Sequence, residues 1–236
     1  MTWMDVRDAM ANGKKTIIIP TGGVEPNGPW TALGKHNYIL QSTCDAIARK
    51  LGNALCAPVI KFVPEGDIEK KTGHMDTAGT ISVEQSTYEA IVADTARSMK
   101  AHGFERIVLI SDNGGSVGPG MQAVAEKLNG AWGTQTVLYV PEYYRSWGAV
   151  EDMLVEKGVQ EAGVSDGVHD DATVELIMMV TDPETVRWQQ RVNTGQATID
   201  GVSIADREET VKWGRKLIDY RATVTADAIT KAIAAD

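Results

Sequence analysis

Residues 25–36 bring Glu25, Asn27, Lys35 and His36 into one stretch of chain. A carboxylate, an amide, an amine and an imidazole at such short spacing can coordinate a divalent ion or move a proton. The chain has only 4 histidines. His74 stands in Gly73-His-Met-Asp-Thr-Ala-Gly-Thr-Ile-Ser82, and His169 in Asp166-Gly-Val-His-Asp-Asp-Ala-Thr-Val-Glu175. Between carboxylates, His169 would have a raised pKa and suit proton transfer. His102 fits the last turn of a helix, where a cation suits the dipole and needs no further role. A further polar loop, Asp112-Asn-Gly-Gly-Ser116, follows an apolar run. Its glycines before a helix could also cradle an anion, but no Walker lysine accompanies them.

These groups need elements to place them. The β-branched run at 15–20 predicts a buried strand, and the apolar spacing of 36–52 a helix. Strands are likewise expected at 55–63, 106–111 and 135–140. Helices are expected at 3–12, 82–101, 120–129, 170–181 and 208–234, with Gly103 as a C-cap. Residues 142–168 read as irregular with a short helix near 149–157, and 190–207 as an arm or flexible loop. Alternating strands and helices predict an α/β fold, a three-layer αβα sandwich with a mainly parallel sheet in one domain, 1–236. In such a sheet the loops at the carboxyl ends of the strands form the ligand crevice. The loop from 21 to 35, leaving the first strand, is long enough to be functional.

Composition narrows the function. A formal charge of −9 and no basic cluster argue against nucleic-acid binding. No apolar run is long enough to span a membrane, and the start of the chain lacks a signal peptide, so a cytoplasmic location is expected. Cys44 and Cys56 have no metal or redox spacing and read as two reduced, buried thiols.

The motifs carry a family likeness. Glu25-x-Asn27-Gly28-Pro29-Trp30-x-x-x-Gly34-x-His36 resembles the creatininase (creatinine amidohydrolase) pattern Glu-x-His-Gly-Pro-His-x-x-x-Gly-x-Asp. Gly79-Thr-Ile-Ser82 is similar to the family's Pro-Gly-Thr-Ile-Ser, with Ala78 in place of Pro. Ser111-Asp-Asn-Gly-Gly-Ser116 resembles Asn-Gly-His-Gly-Gly-Asn, and the segment at His169 resembles His-Ala-Gly-x-x-Glu. The glycine and proline frame is kept. Of the positions that hold two metals in the family, Glu25 is retained, Asn27 and Asn113 replace His, and His36 replaces Asp.

The resemblance implies a hydrolase of a C–N bond in a small amide or cyclic amide, with a metal-activated water as nucleophile. With the family's two-metal ligand set altered, one divalent ion is expected instead, zinc in first place and manganese in second, on Glu25 and His36 with Asn113 or Asp112. His169 is then the proton shuttle, with His74 and Glu175 as further catalytic positions. Trp30, Gly114 and Gly115 are expected to touch substrate, and Trp147 to cover it. A homo-oligomer, up to a hexamer, is the expected assembly. The altered ligands leave two other readings: a metal-free isomerase or lyase, and a binding protein without activity.

Overall fold

In the computed structural model, which describes residues 1–164, 169 and 171–235, the apolar runs form the centre of a sheet. Strand β1 is Thr16–Thr21 and β3 is Arg106–Ser111. They pair in parallel from Thr16↔Arg106 to Thr21↔Ser111. Side chains alternate across a strand. Ile17, Ile19, Ile107 and Leu109 therefore enter one core, and Ile18, Val108 and Ile110 the opposite one. Each such burial contributes about 1.5–3 kcal/mol relative to exposure.

β2 (Ala54–Cys56) and β4 (Val137–Tyr139) complete the sheet in the order β2-β1-β3-β4, all parallel. The helix α1 (Trp3–Ala11) opens the chain. On the first face lie α3 (Gln85–Ala101) and α4 (Val117–Trp132), which contribute Tyr88, Val92, Met121 and Leu128 to its core. On the second lie α2 (Lys35–Leu51), α5 (Glu142–Glu156) and α8 (Arg207–Ala234). A further core joins α5 and α8 to α6 (Ala172–Thr181), through Val150, Leu154, Ile177 and Leu217. The helix α7 (Trp188–Thr194) leads into an antiparallel hairpin of β5 (Thr198–Ile199) and β6 (Val202–Ser203). This is the expected three-layer α/β architecture. Among the described residues no helix is long and apolar enough to cross a membrane.

Four expectations change. The strand expected at 55–63 pairs regularly only to Cys56; beyond it Ile60 and Val63 make single bridges, to Thr21 and Ser82. Pro58 has no N–H to continue a ladder. The segment after β4 is helical from Glu142, because Tyr143, Ser146, Val150 and Leu154 form one buried stripe. The stretch 190–207 is ordered as α7 and the hairpin, pinned by Ile199, Val202 and Ile204 in the core. Cys44 and Cys56 are not free thiols but a disulfide, with Cα atoms 6.2 Å apart. Gly52, in the left-handed region, turns the chain from α2 into β2 and returns Cys56 to the face of the helix that holds Cys44.

Candidate active site

The carboxyl ends of β1 and β3 open into a crevice of about 920 Å³. Glu25, Lys35, His36, Glu65, His74, Asn113, Gly114, Gly115, Trp147 and His169 are among the residues that line it. Glu25, His36, Asn113 and His169, drawn from three separate stretches of the sequence, thus share one face. Trp30 and Glu175 are not part of its lining.

Glu25 is the centre. The residue is 2% exposed, and four basic side chains approach its carboxylate. His36 Nε2 lies 2.9 Å from Oε1, Lys35 Nζ 3.1 Å from Oε1, and His74 Nε2 3.1 Å from Oε2. His169 Nδ1 stands 4.0 Å from Oε1. Burial works against the Glu25 charge, but His36 and Lys35 outweigh it and hold the carboxyl far below the usual range.

Helix α2 delivers Lys35 and His36. Its N-terminus is unusual: Gly34 caps it in the left-handed region without a side-chain bond, and the first turn carries a cation and an imidazole but no acid. That is the wrong sign for a helix dipole. Glu25 and Asp112 compensate from outside the helix. Asn37 fixes the approach by donating to the Gly23 carbonyl at 2.8 Å.

His36 is occupied on both nitrogens. Nδ1 lies 2.9 Å from Asp112 Oδ2 while Nε2 meets Glu25. Burial opposes a charge on the ring, but the two carboxylates prevail and raise its pKa. Asp112 is itself held below the usual range, against its burial, by Arg221 and His36. Arg221 Nη2 donates to Asp112 Oδ1 at 2.6 Å.

Glu65 was not visible as a functional group in the sequence. It sits in the Gly-rich loop after β2, and Asn113 Nδ2 donates to both its oxygens, at 2.9 and 3.0 Å. Burial first, and then the hydrogen bond with Glu25 and the Glu25 charge, push its carboxyl up to about 8. Two adjacent buried carboxylates do not both ionise. Glu25 has the cations and keeps the charge; Glu65 keeps the proton, although the Asn113 amide favours its ionised form. The Pro64-Glu-Gly sequence at a strand's carboxyl end was the available signal.

His169, at φ 56, is held in the left-handed region. Its Nδ1 lies 3.1 Å from Lys35 Nζ. An ammonium only donates, so Nδ1 accepts. Burial and Lys35 lower its pKa to about 4, the reverse of the rise expected from the acidic sequence around it. Asp166 and Asp170 of that cluster lie outside the described residues. Asp171 caps α6.

The expected ligand set therefore does not form a coordination shell. His36 spends both nitrogens on carboxylates, Asp112 is paired with Arg221, and the Asn113 amide is committed to Glu65. Glu175 is fully buried to one side, where it accepts from Thr31 and from Asn27 Nδ2 (3.3 Å) and faces Arg191. Trp147 lines the crevice with its ring 3.7 Å from the Arg221 guanidinium carbon. Instead, Glu25, His74 and His169 each offer a ligand atom, all within 4.8 Å of one another. One carboxylate and two imidazoles suit zinc or manganese by type and number. His74, expected near the crevice, thus contacts its central carboxylate directly.

A parallel αβα sandwich with a histidine- and carboxylate-lined crevice at the strand ends defines a class of small-molecule enzyme folds. Within that class, the sequence model described as creatinine amidohydrolase matches residues 1–232, and the chain belongs to this creatininase family. A creatinine amidohydrolase of Pseudomonas putida is 25% identical over 111 residues. That stretch is 47% of this chain but only 42% of the relative's length. A creatininase mutant of the zinc–zinc type and a manganese creatininase each superpose with a TM-score of 0.68. Both are 20% identical over 98% of this chain and 96% of theirs.

Proposed function

We propose that the chain is an amidohydrolase that cleaves a C–N bond in a small amide or cyclic amide. The observation that carries this reading is the convergence of His74 and His169 on Glu25 at the floor of the crevice. Family membership and the zinc and manganese named for similar structures support one divalent ion, held by Glu25, His74 and His169. When bound, such an ion supplies an acidified water and polarises the scissile carbonyl.

The chain's own groups complete the chemistry. Glu25 stays ionised and anchors the basic cluster. Lys35 places a positive charge beside Glu25 and His169. His169 is neutral, the form in which an imidazole can serve as a ligand. Glu65, protonated and aimed by Asn113, is placed to give a proton toward the leaving nitrogen. Gly115 leaves room for substrate, Gly114 is closely covered by the Tyr144 hydroxyl, and Trp147 with Tyr144 forms the wall.

The test is turnover of a panel of linear and cyclic small amides, creatinine included, by zinc- and manganese-loaded protein. Cleavage of at least one, lost in both Glu25→Gln and His169→Ala, supports the proposal. Full turnover by Glu25→Gln contradicts it.

A further inference from the structure

Lys35 carries an inference beyond the reading of the site as a one-ion hydrolase, on which it rests for the claim that the crevice binds a divalent ion. The side chain is 1% exposed, although lysine is among the residues least often buried. Its ammonium is enclosed by acceptors. Glu25 Oε1, Asn27 Oδ1 and His169 Nδ1 each lie at 3.1 Å, and the Pro26 carbonyl at 3.3 Å. A carboxylate, an amide oxygen, an imidazole nitrogen and a main-chain carbonyl are the donor types that surround a divalent metal. Here they surround a covalently attached cation.

The neighbouring groups fit this arrangement. Two of the four, Glu25 and His169, are also members of the triad that could hold an ion. A His169 nitrogen that accepts from Lys35 has no lone pair left for a metal on that atom. An ammonium and a dication a few ångströms apart repel each other even at the effective dielectric of a protein surface. Asn27 stands where the family motif has a histidine, and its amide oxygen turns to Lys35 rather than to an open position.

We infer that Lys35 is a built-in cation that takes the place of one metal ion. It limits the crevice to a single divalent ion, which it opposes by competing for Glu25 and His169. The replacement would make the site's positive charge partly independent of metal supply.

The experiment is calorimetric titration of metal-free full-length protein with manganese and with zinc, with bound metal counted by elemental analysis. Wild type is compared with Lys35→Gln, which keeps the stem and removes the charge, with Lys35→Ala, and with Lys35→Arg. Circular dichroism and thermal melting establish that each variant is folded. The neutral variants are expected to bind one more ion per chain than wild type, or the same ion at least about tenfold more tightly. Lys35→Arg should show neither gain. If wild type binds no ion and a neutral variant binds one, the inference holds and the one-ion reading of the wild-type site falls. If wild type and folded neutral variants bind one ion with equal affinity, the inference is overturned and that reading stands. Absence of binding in all four proteins overturns both. Should Lys35→Ala fail to fold, Lys35→Gln decides alone; should both neutral variants fail to fold, a second equivalent of metal bound by wild type overturns the inference, and saturation at one supports it.

Discussion

Arg221 Nη2 donates to Asp112 Oδ1 at 2.6 Å, and both side chains are fully buried. The contact ties α8, near the end of the chain, to the residue that closes β3. Arg221 also donates from Nε to Ser146 Oγ at 3.0 Å and from Nη2 to the Tyr143 carbonyl at 3.3 Å. Asp112 in turn holds His36. The C-terminal helix thus reaches the site through three side chains in series. Removing one member of a buried pair leaves the other charge without its partner, at a cost of about 3–5 kcal/mol. Arg221→Leu is expected to lose that much in urea denaturation. The double variant Arg221→Leu/Asp112→Asn should lose less than the single one. Equal losses would show that packing, not the ion pair, sets the cost.

The Glu65 carboxyl gives a pH-dependent prediction. Its folded pKa, about 8, lies above the value of 4.5 for an unperturbed carboxyl. A raised folded pKa contributes stability that is fully present below the unfolded value and is lost as pH rises through the folded one. Between pH 4.5 and 8 the folded protein therefore loses stability on account of this group. Glu65→Gln removes the titration and preserves an acceptor for Asn113. The melting temperature of Glu65→Gln minus that of wild type should increase steadily from pH 4 to 8.5. A flat or falling difference would mean that Glu65 is ionised in the folded state.

The Cys44–Cys56 disulfide closes a short loop, with a sequence separation of 12, between α2 and β2. In the chain-entropy account a loop of this size is worth about 2–4 kcal/mol. Cys44→Ala/Cys56→Ala should lose stability in that range by chemical denaturation, and the native protein should show no free thiol. Two titratable thiols, or a loss under about 0.5 kcal/mol, would count against the bond as a structural element.

The sheet was legible because its central strands, Ile17–Ile19 and 107–110, are unbroken apolar runs with β-branched residues, the mark of strands buried on both faces. Helix α5 was read too short. Its aromatic start, Tyr143, Tyr144 and Trp147, looks like loop packing until one sees that Tyr143 faces the core under α8. The disulfide left no trace, because the distance between two cysteines depends on a turn and a packing angle, not on their spacing. Within the site, motif positions found the crevice but not the bonding. His36 appeared in sequence as a ligand; only its two carboxylate neighbours in space reveal a ring with both nitrogens spent. Glu65 and Lys35 act through partners 48 and 134 residues away. One cue for Lys35 was available: a basic pair at the start of a helix, against the dipole, implies compensating negative charge nearby.

The central claim is that Glu25, His74 and His169 form the single ion site of a hydrolytic centre. The most direct measurement is anomalous diffraction from crystals soaked in manganese. The account predicts one peak per chain, within about 2.0–2.3 Å of a Glu25 oxygen and of a nitrogen on each of His74 and His169. A peak on His36, Asp112 and Asn113, two peaks in the crevice, or no peak at saturating manganese would contradict it.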